Sequence, residues 1–256
     1  MESSWNSPVR RYEELTSYAK EIRAKILNEF YENSYTNYCF GKSFQALGIS
    51  YLERTLERGS KLSIELTRQL ELGGGSGEHL PYVKQVPSTE YISLDLALPR
   101  TDKYLKDIPV RLAEIVKFVK GNAEQLPFES EYFEKVISTC LLHHVSDPLA
   151  VLFESRRVTK QSGELIFIIP TDPGLLNQFI KRTISYRRLR KFTSQKPALI
   201  LALDHINHVG GLLELCKFVF KNDELEIDFL PFGIKSWNLN LIARVRVIKK
   251  ASLDLN

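Results

Sequence analysis

The sequence predicts an α/β fold built on a mostly parallel sheet with helices on both faces. Three observations lead there. Apolar-alternating runs of strand length recur between stretches with helical spacing, the pattern of a parallel sheet. One such run, Leu66–Leu72, opens directly into the glycine-rich turn Leu72-Gly-Gly-Gly-Ser-Gly77. The last two strand patterns, Leu225–Leu230 and Leu239–Ile248, follow one another without a helix and read as an antiparallel hairpin.

The elements are justified in chain order. Tyr12 to Tyr31 carries Leu15, Tyr18, Ile22, Ile26, Leu27 and Phe30 at helical spacing, and Phe44 to Leu56 repeats the pattern more briefly, giving N-terminal helices. The core then alternates: a strand near Ser63–Leu72, a helix from about Gly77, strands at Tyr91–Asp95, Ile115–Lys120 and Lys135–Thr139, a helix at Pro148–Thr159 and a strand at Glu164–Ile169. Helices are expected at Leu175–Arg190 and His208–Phe220. The stretch Thr171–Asn222 is long for a single crossover and reads as a helical cap over a substrate. The expected organisation is an N-terminal helical cap at 1–62, a nucleotide-binding core at 63–170, a substrate cap at 171–222 and, at 223–256, the antiparallel strands that complete the sheet.

Composition narrows the class. The chain has 256 residues, 43% of them hydrophobic and 26% charged, ordinary values for a globular protein and unlike a disordered or fibrous one. No run approaches 18 apolar residues, and Met1-Glu-Ser-Ser-Trp5 does not read as a secretory leader, so a soluble, cytoplasmic protein without an integral membrane segment is expected. Cys39, Cys140 and Cys216 are odd in number and far apart, the pattern of free thiols and not of a disulfide framework or zinc site. A net charge of +4 does not by itself imply a nucleic-acid partner, and none is expected.

The chemistry starts at the glycine turn. Gly73, Gly75 and Gly77 can take backbone angles that other residues resist, and the missing side chains let a ligand lie against the main chain. A dinucleotide fingerprint needs Gly-x-Gly-x-x-Gly, with the pyrophosphate on a helix N-terminus. Here the spacing is Gly-x-Gly-x-Gly, and Glu71 at the strand end would repel a phosphate and suit a cationic amino-acid tail. Tyr91-Ile-Ser-Leu-Asp95 ends a second strand in an acid roughly 20 residues on, placed as a ribose-binding carboxylate would be.

The pattern Glu71-x-Gly73-x-Gly75-x-Gly77 resembles the first motif of class I methyltransferases that use S-adenosylmethionine, a ligand with an ammonium and a sulfonium. Gly121-Asn-Ala-Glu-Gln-Leu-Pro-Phe128 resembles the segment those enzymes place beside the adenine, and Phe133–Pro148, with Cys140-Leu-Leu-His-His144, resembles their fourth strand and the turn after it. The resemblance covers roughly Leu66–Pro170. It implies a Rossmann-like, seven-stranded methyltransferase sheet and a cofactor site made from Glu71, Gly73, Gly74, Gly75, Gly77, Asp95, Leu96, Asn122, Ala123, Glu124, Cys140 and Leu141. Asn122 departs from the family's usual Asp. An amide oxygen can accept the same hydrogen bond from an adenine amino group, though without the charge.

Methyl transfer from a sulfonium is an in-line displacement, and a hydroxyl acceptor benefits from a general base of pKa near 7. The candidates are His143, His144, His205 and His208. His143 and His144 equally suit a packed turn after the fourth strand. In Asp204-His-Ile-Asn-His208, Asp204 could orient an imidazole, while Asp204 or Asn207 could instead cap the following helix. His205 and His208 share a helical spacing but lack accompanying acidic ligands, so no metal is expected.

Lys181, Arg182, Arg187, Arg188, Arg190, Lys191 and Lys196 crowd one segment, which is a solvated helix face or a contact for an anionic ligand. Tyr186, Phe192 and Trp237 could stack on a ring, or belong to the core. The tail from Asp204 through Asn240 resembles bacterial methyltransferases of surface-polysaccharide assembly, which implies a sugar or glycan hydroxyl as acceptor. Quinones, polyketides and other small metabolites are the alternative acceptors, and a cofactor-binding scaffold or sensor is the alternative without catalysis.

Overall fold

The computed structural model describes residues 6–33, 51, 54–55, 59–99 and 108–250. The chain divides into two compact units, residues 1–46 with 180–205 and residues 47–179 with 206–256.

In the larger unit, seven strands form one sheet: β1 (Arg68–Leu72), β2 (Glu90–Asp95), β3 (Val116–Lys120), β4 (Phe133–Thr139), β5 (Thr159–Pro170), β6 (Glu224–Leu230) and β7 (Ile242–Ile248), in the order β3-β2-β1-β4-β5-β7-β6. β1 to β5 run parallel, and β7 lies antiparallel between β5 and β6. This is the methyltransferase-type sheet that the sequence predicts, with its C-terminal hairpin. Strand order reverses between β1 and β4, the switch point where open α/β sheets leave a crevice beyond the strand carboxyl ends.

The sheet's period of two sorts its residues. Leu70, Leu72, Ile92, Leu94, Val136, Leu165, Phe167, Val245 and Val247 share one buried cluster with Val151, Leu152 and Val158 of the helix Pro148–Val158 and with Leu212, Cys216 and Val219 of the helix Val209–Val219. Burial in that cluster pushes the Cys216 thiol up to about 12, so it stays protonated. Cys39 and most of Phe44–Leu56 lie outside the described residues.

Arg156 and Asp223, both almost fully buried, fasten one helix to the segment after the other through Nε···Oδ2 at 2.7 Å and Nη2···Oδ1 at 3.0 Å. On the opposite face, Leu80, Val83, Tyr91 and Leu112 form a separate cluster under short helical turns.

Three expectations need correction. No helix starts at Gly77: the chain makes a 3-10 turn at Leu80–Tyr82, because Pro81 has no N–H to continue a helix from the glycines. The segment 171–222 is not one cap, since 180–205 groups with the N-terminal helix while Val209–Val219 packs on the sheet. Finally, Pro197–Val219 is long and apolar enough by composition to cross a membrane. It breaks at 205–208 into helices of 8 and 11 residues, each short of the ~20 a bilayer requires.

The smaller unit holds the helix Asn6–Asn33, the continuous helical stretch from Lys181 through a π-type segment to Leu189, and the helix Pro197–Asp204 that the sequence reading missed. Ile26, Phe30, Leu189 and Ile200 form its core, and Tyr31 Oη donates to Asp204 Oδ1 at 2.7 Å.

Candidate active site

β1 delivers the glycine turn with Leu72 facing the apolar core, which by alternation turns Glu71 to the other face. Glu71 is only 3% exposed, and Tyr91 Oη donates to its Oε2 at 3.0 Å. The turn then folds back over the end of β2, where Gly73 N and Gly74 N both donate to Leu94 O. Gly74 is required by close approach: a Cβ there would stand 1.9 Å from Ser93 Oγ. Gly73, Gly75 and Gly77 all have φ between +53° and +88°, the left-handed region that favours glycine.

Two of the turn's amides are held by carboxylates. Gly75 N donates to Asp95 Oδ2 at 3.0 Å, and Ser76 N donates to Glu78 Oε2 at 2.8 Å. Asp95 Oδ1 accepts from Ala97 N at 3.1 Å, which fixes the carboxylate against the turn. Each oxygen keeps a further lone pair for a ligand. Glu71, Glu78 and Asp95 therefore surround the glycines with negative charge. Glu78 was missed in the sequence, although it directly follows Gly77.

The remaining cofactor candidates gather at the same edge. Gly121 N donates to Asp95 O at 2.9 Å, seating 121–124 beside the second strand's end. Asn122 Oδ1 accepts from Glu124 N, and Glu124 Oε1 accepts from Asp147 N, each at 2.9 Å. Ala123 is buried, whereas Leu96 is 69% exposed next to Asp95. Arg157 braces the following residues by donating to Leu126 O and Phe128 O, while Glu154 Oε2 accepts from Leu126 N. The Arg157 guanidinium holds the Glu154 carboxyl below its ordinary value. Leu141 lies against Gly73, within 3.1 Å of where a Cβ would be, and Cys140 adopts a left-handed φ of 56°. The twelve cofactor candidates thus sit along the carboxyl ends of β1 to β4.

The histidines divide. His143 is buried and His144 half-buried, with ring centroids 3.8 Å apart and planes inclined by 41°. His208 is exposed at the N-cap of the helix Val209–Val219 and makes no side-chain cap bond. Neither Asp204 nor Asn207 is that cap. In the smaller unit, His205 Nε2 lies 3.9 Å from Asp204 Oδ2.

Fit to a cofactor follows from this chemistry. The turn's donors already serve carboxylates or main-chain carbonyls and no helix begins there, so the site lacks the features that hold a pyrophosphate. Its charge suits a cation. Sheet order, antiparallel β7 and this acidic glycine turn together match the fold and cofactor turn of class I methyltransferases. The family model described as a methyltransferase domain matches residues 70–167, so that segment is a methyltransferase domain of the S-adenosylmethionine-dependent type.

Known proteins agree. The chain is 30% identical over 120 residues to the uncharacterized methyltransferase YcgJ of Bacillus subtilis, a match covering 44% of this chain and 45% of that protein. It is 31% identical over 107 residues to the chloroplastic 2-methyl-6-phytyl-1,4-hydroquinone methyltransferase of Arabidopsis thaliana, covering 41% and 31%. The matched segment thus spans less than half the length of either relative. A solved Thermotoga maritima methyltransferase, described as a possible histamine N-methyltransferase, shares the fold with a TM-score of 0.50 at 19% identity, covering 78% of this chain and 89% of that one.

Proposed function

We propose that this chain transfers a methyl group from S-adenosylmethionine to a hydroxyl of a small-molecule acceptor. The observation that carries the reading is the ring of Glu71, Glu78 and Asp95 around the glycine turn, a charge pattern suited to a cationic cofactor and hostile to a phosphorylated one. When bound, S-adenosylmethionine supplies an electrophilic methyl carbon on a sulfonium. Asp95, fixed by two backbone amides, would accept from the ribose hydroxyls. Asn122 would accept from the adenine amino group, with Leu96 against the ring. Glu71, held by Tyr91, supplies negative potential for the amino-acid end, and Cys140 and Leu141 close the floor of the site.

Rate comes from orientation and exclusion of water, and the His143–His144 pair is the nearest source of a general base at the end of β4. One imidazole would accept the acceptor's hydroxyl proton as the methyl–oxygen bond forms and the methyl–sulfur bond breaks, with S-adenosylhomocysteine as the leaving group.

A sugar hydroxyl is the acceptor implied by the resemblance of the C-terminal segment. A second reading, an acceptor with an apolar body such as a hydroquinone, is favoured by a specific observation. Phe232 (62% exposed), Ile234 (47%) and Leu239 (49%) lie in the β6–β7 connection at the carboxyl-end rim of the sheet. Incubation with methyl-labelled S-adenosylmethionine, a set of nucleotide sugars and a set of short-chain quinols decides between them. Label transferred to the sugars alone removes the apolar reading, and transfer to the quinols alone removes the sugar. Transfer to neither, with binding of S-adenosylhomocysteine intact, favours the scaffold.

A further inference from the structure

Asn207 sits in the motif Asp204-His-Ile-Asn-His208, whose histidines draw attention, yet its side chain reaches the turn after β4 with two hydrogen bonds. Its Nδ2 donates to Leu142 O at 3.0 Å and to Val145 O at 2.8 Å. The backbone joins in: Ile206 N and Asn207 N both donate to His143 O, at 2.9 and 3.2 Å. Within the turn itself, His144 N donates to Leu141 O at 2.9 Å. The carbonyls of Leu141, Leu142, His143 and Val145 are thereby all fixed, three of them by residues 206–207. On its other side the clamp is anchored to the end of β5, since Val209 N donates to Asp172 O at 3.1 Å and Gln178 Nε2 donates to Asp172 Oδ1 at 2.8 Å.

We infer that Asn207 is a positioning residue for the methyl-transfer site: it sets the backbone of the His143–His144 turn, and through it the direction in which the two rings point. The inference rests on the proposed function for its catalytic meaning. The chemistry is specific to a primary amide. Two carbonyl oxygens need two N–H donors from one short side chain, which Asn supplies and Asp cannot. A carboxylate of the same shape would face two carbonyl oxygens with no proton to offer. Buried carbonyls that lose their donors drive the backbone to move until they find others. Because the rings are in contact, a small rotation of this turn changes both. The residue itself need not touch the cofactor or the acceptor.

The test compares Asn207→Asp, Asn207→Ala and Asn207→Gln with wild type by three readouts on the full chain. The readouts are S-adenosylhomocysteine affinity by calorimetry, imidazole resonances by NMR with histidine-selective labelling, and the KM and kcat of methyl transfer. Expected for Asn207→Asp and Asn207→Ala are cofactor affinity within about threefold of wild type, displaced His143 and His144 resonances with His208 unmoved, and kcat lower by roughly 10- to 100-fold at nearly unchanged KM for the cofactor. Asn207→Gln, which keeps two donors, recovers part of the loss.

Unmoved imidazole resonances in Asn207→Asp overturn the inference, as does a parallel loss of cofactor affinity and thermal stability in all three variants, which would mark a purely structural residue. The NMR arm needs no acceptor. If wild type fails to bind S-adenosylhomocysteine, the proposed function falls, whereas displaced rings would still establish the clamp.

Discussion

The carboxyl end of the sheet is built in two ways. Over β1 to β4 the edge is made from main chain and carboxylates: glycines at positive φ, amides donating to Asp95 and Glu78, and Gly121 donating to Asp95 O. Over β5 to β7 it is held by amide side chains, one reaching to the turn after β4 and one tying its own connection. Asn207 clamps the turn after β4 from 62 to 65 residues away. Asn240, fully buried, accepts from Phe232 N through Oδ1 and donates to Ile234 O and Ser236 O through Nδ2, while Thr171 Oγ1 donates to Asn240 O. The first half offers fixed polar atoms to a cofactor of constant shape. The second fixes a scaffold from which the exposed side chains of Phe232 and Ile234 project.

The sharpest way to break the comparison is on the cofactor half. Gly74→Ala places a methyl group within 1.9 Å of Ser93 Oγ and 3.1 Å of Glu71 Oε2. Overpacking of this kind costs about 1–3 kcal/mol, concentrated here in the turn, and cofactor binding should be lost or fall by at least tenfold. Calorimetry with S-adenosylhomocysteine measures it, and the double variant with Ser93→Gly should regain part of the affinity. If Gly74→Ala binds normally, the turn is not the ligand's seat.

Asp95→Ala is expected to weaken cofactor binding by about 1.5–3 kcal/mol, through loss of charged hydrogen bonds to ribose and of the anchor for Gly75. Unchanged affinity would take Asp95 out of the site.

On the other half the expectation reverses. Asn240→Ala removes three side-chain hydrogen bonds and should lower stability by about 1–3 kcal/mol in denaturant unfolding, while affinity for S-adenosylhomocysteine stays within about twofold. A large loss of cofactor affinity would erase the division between the halves.

The smallest effect concerns the brace under the adenine-side segment. Glu154 is held below its ordinary pKa, first by the Arg157 guanidinium and then by the Leu126 amide. The unfolded chain therefore takes up that proton first as pH falls. The stabilisation is complete above the ordinary carboxylate range and is lost as pH drops through the depressed value. Glu154→Gln should flatten the acid limb of a stability profile by less than about 1 kcal/mol, because the pair is partly exposed. An unchanged acid limb would show that Arg157 holds Leu126 and Phe128 without it.

The same division explains what the sequence reveals. The sheet, its terminal hairpin and the edge of the cofactor half are legible because each is local. Period-two alternation marks the strands, and a turn that needs positive φ at Gly73, Gly75 and Gly77 admits few other residues. Asp95 stands out because a strand ends in it. The missing helix after Gly77 was legible too, in Pro81, but was outweighed by the motif. The helix Pro197–Asp204 escaped because it is apolar nearly all round, without the amphipathic period that marks a surface helix. Asn207 leaves no local signal, since its partners Leu142 O and Val145 O lie on another element and only the folded chain brings them together, whereas Asn240 ties its own β6–β7 connection. Nearby histidines attracted the chemical reading instead.

The measurement that tests the central claim most directly is calorimetric titration of the full chain with S-adenosylhomocysteine and, in parallel, with NAD. An acidic glycine turn without a helix behind it predicts micromolar binding of S-adenosylhomocysteine and none of NAD. Binding of NAD, or of neither ligand, would contradict the cofactor site built on Glu71, Glu78 and Asp95, and with it the proposed methyl transfer.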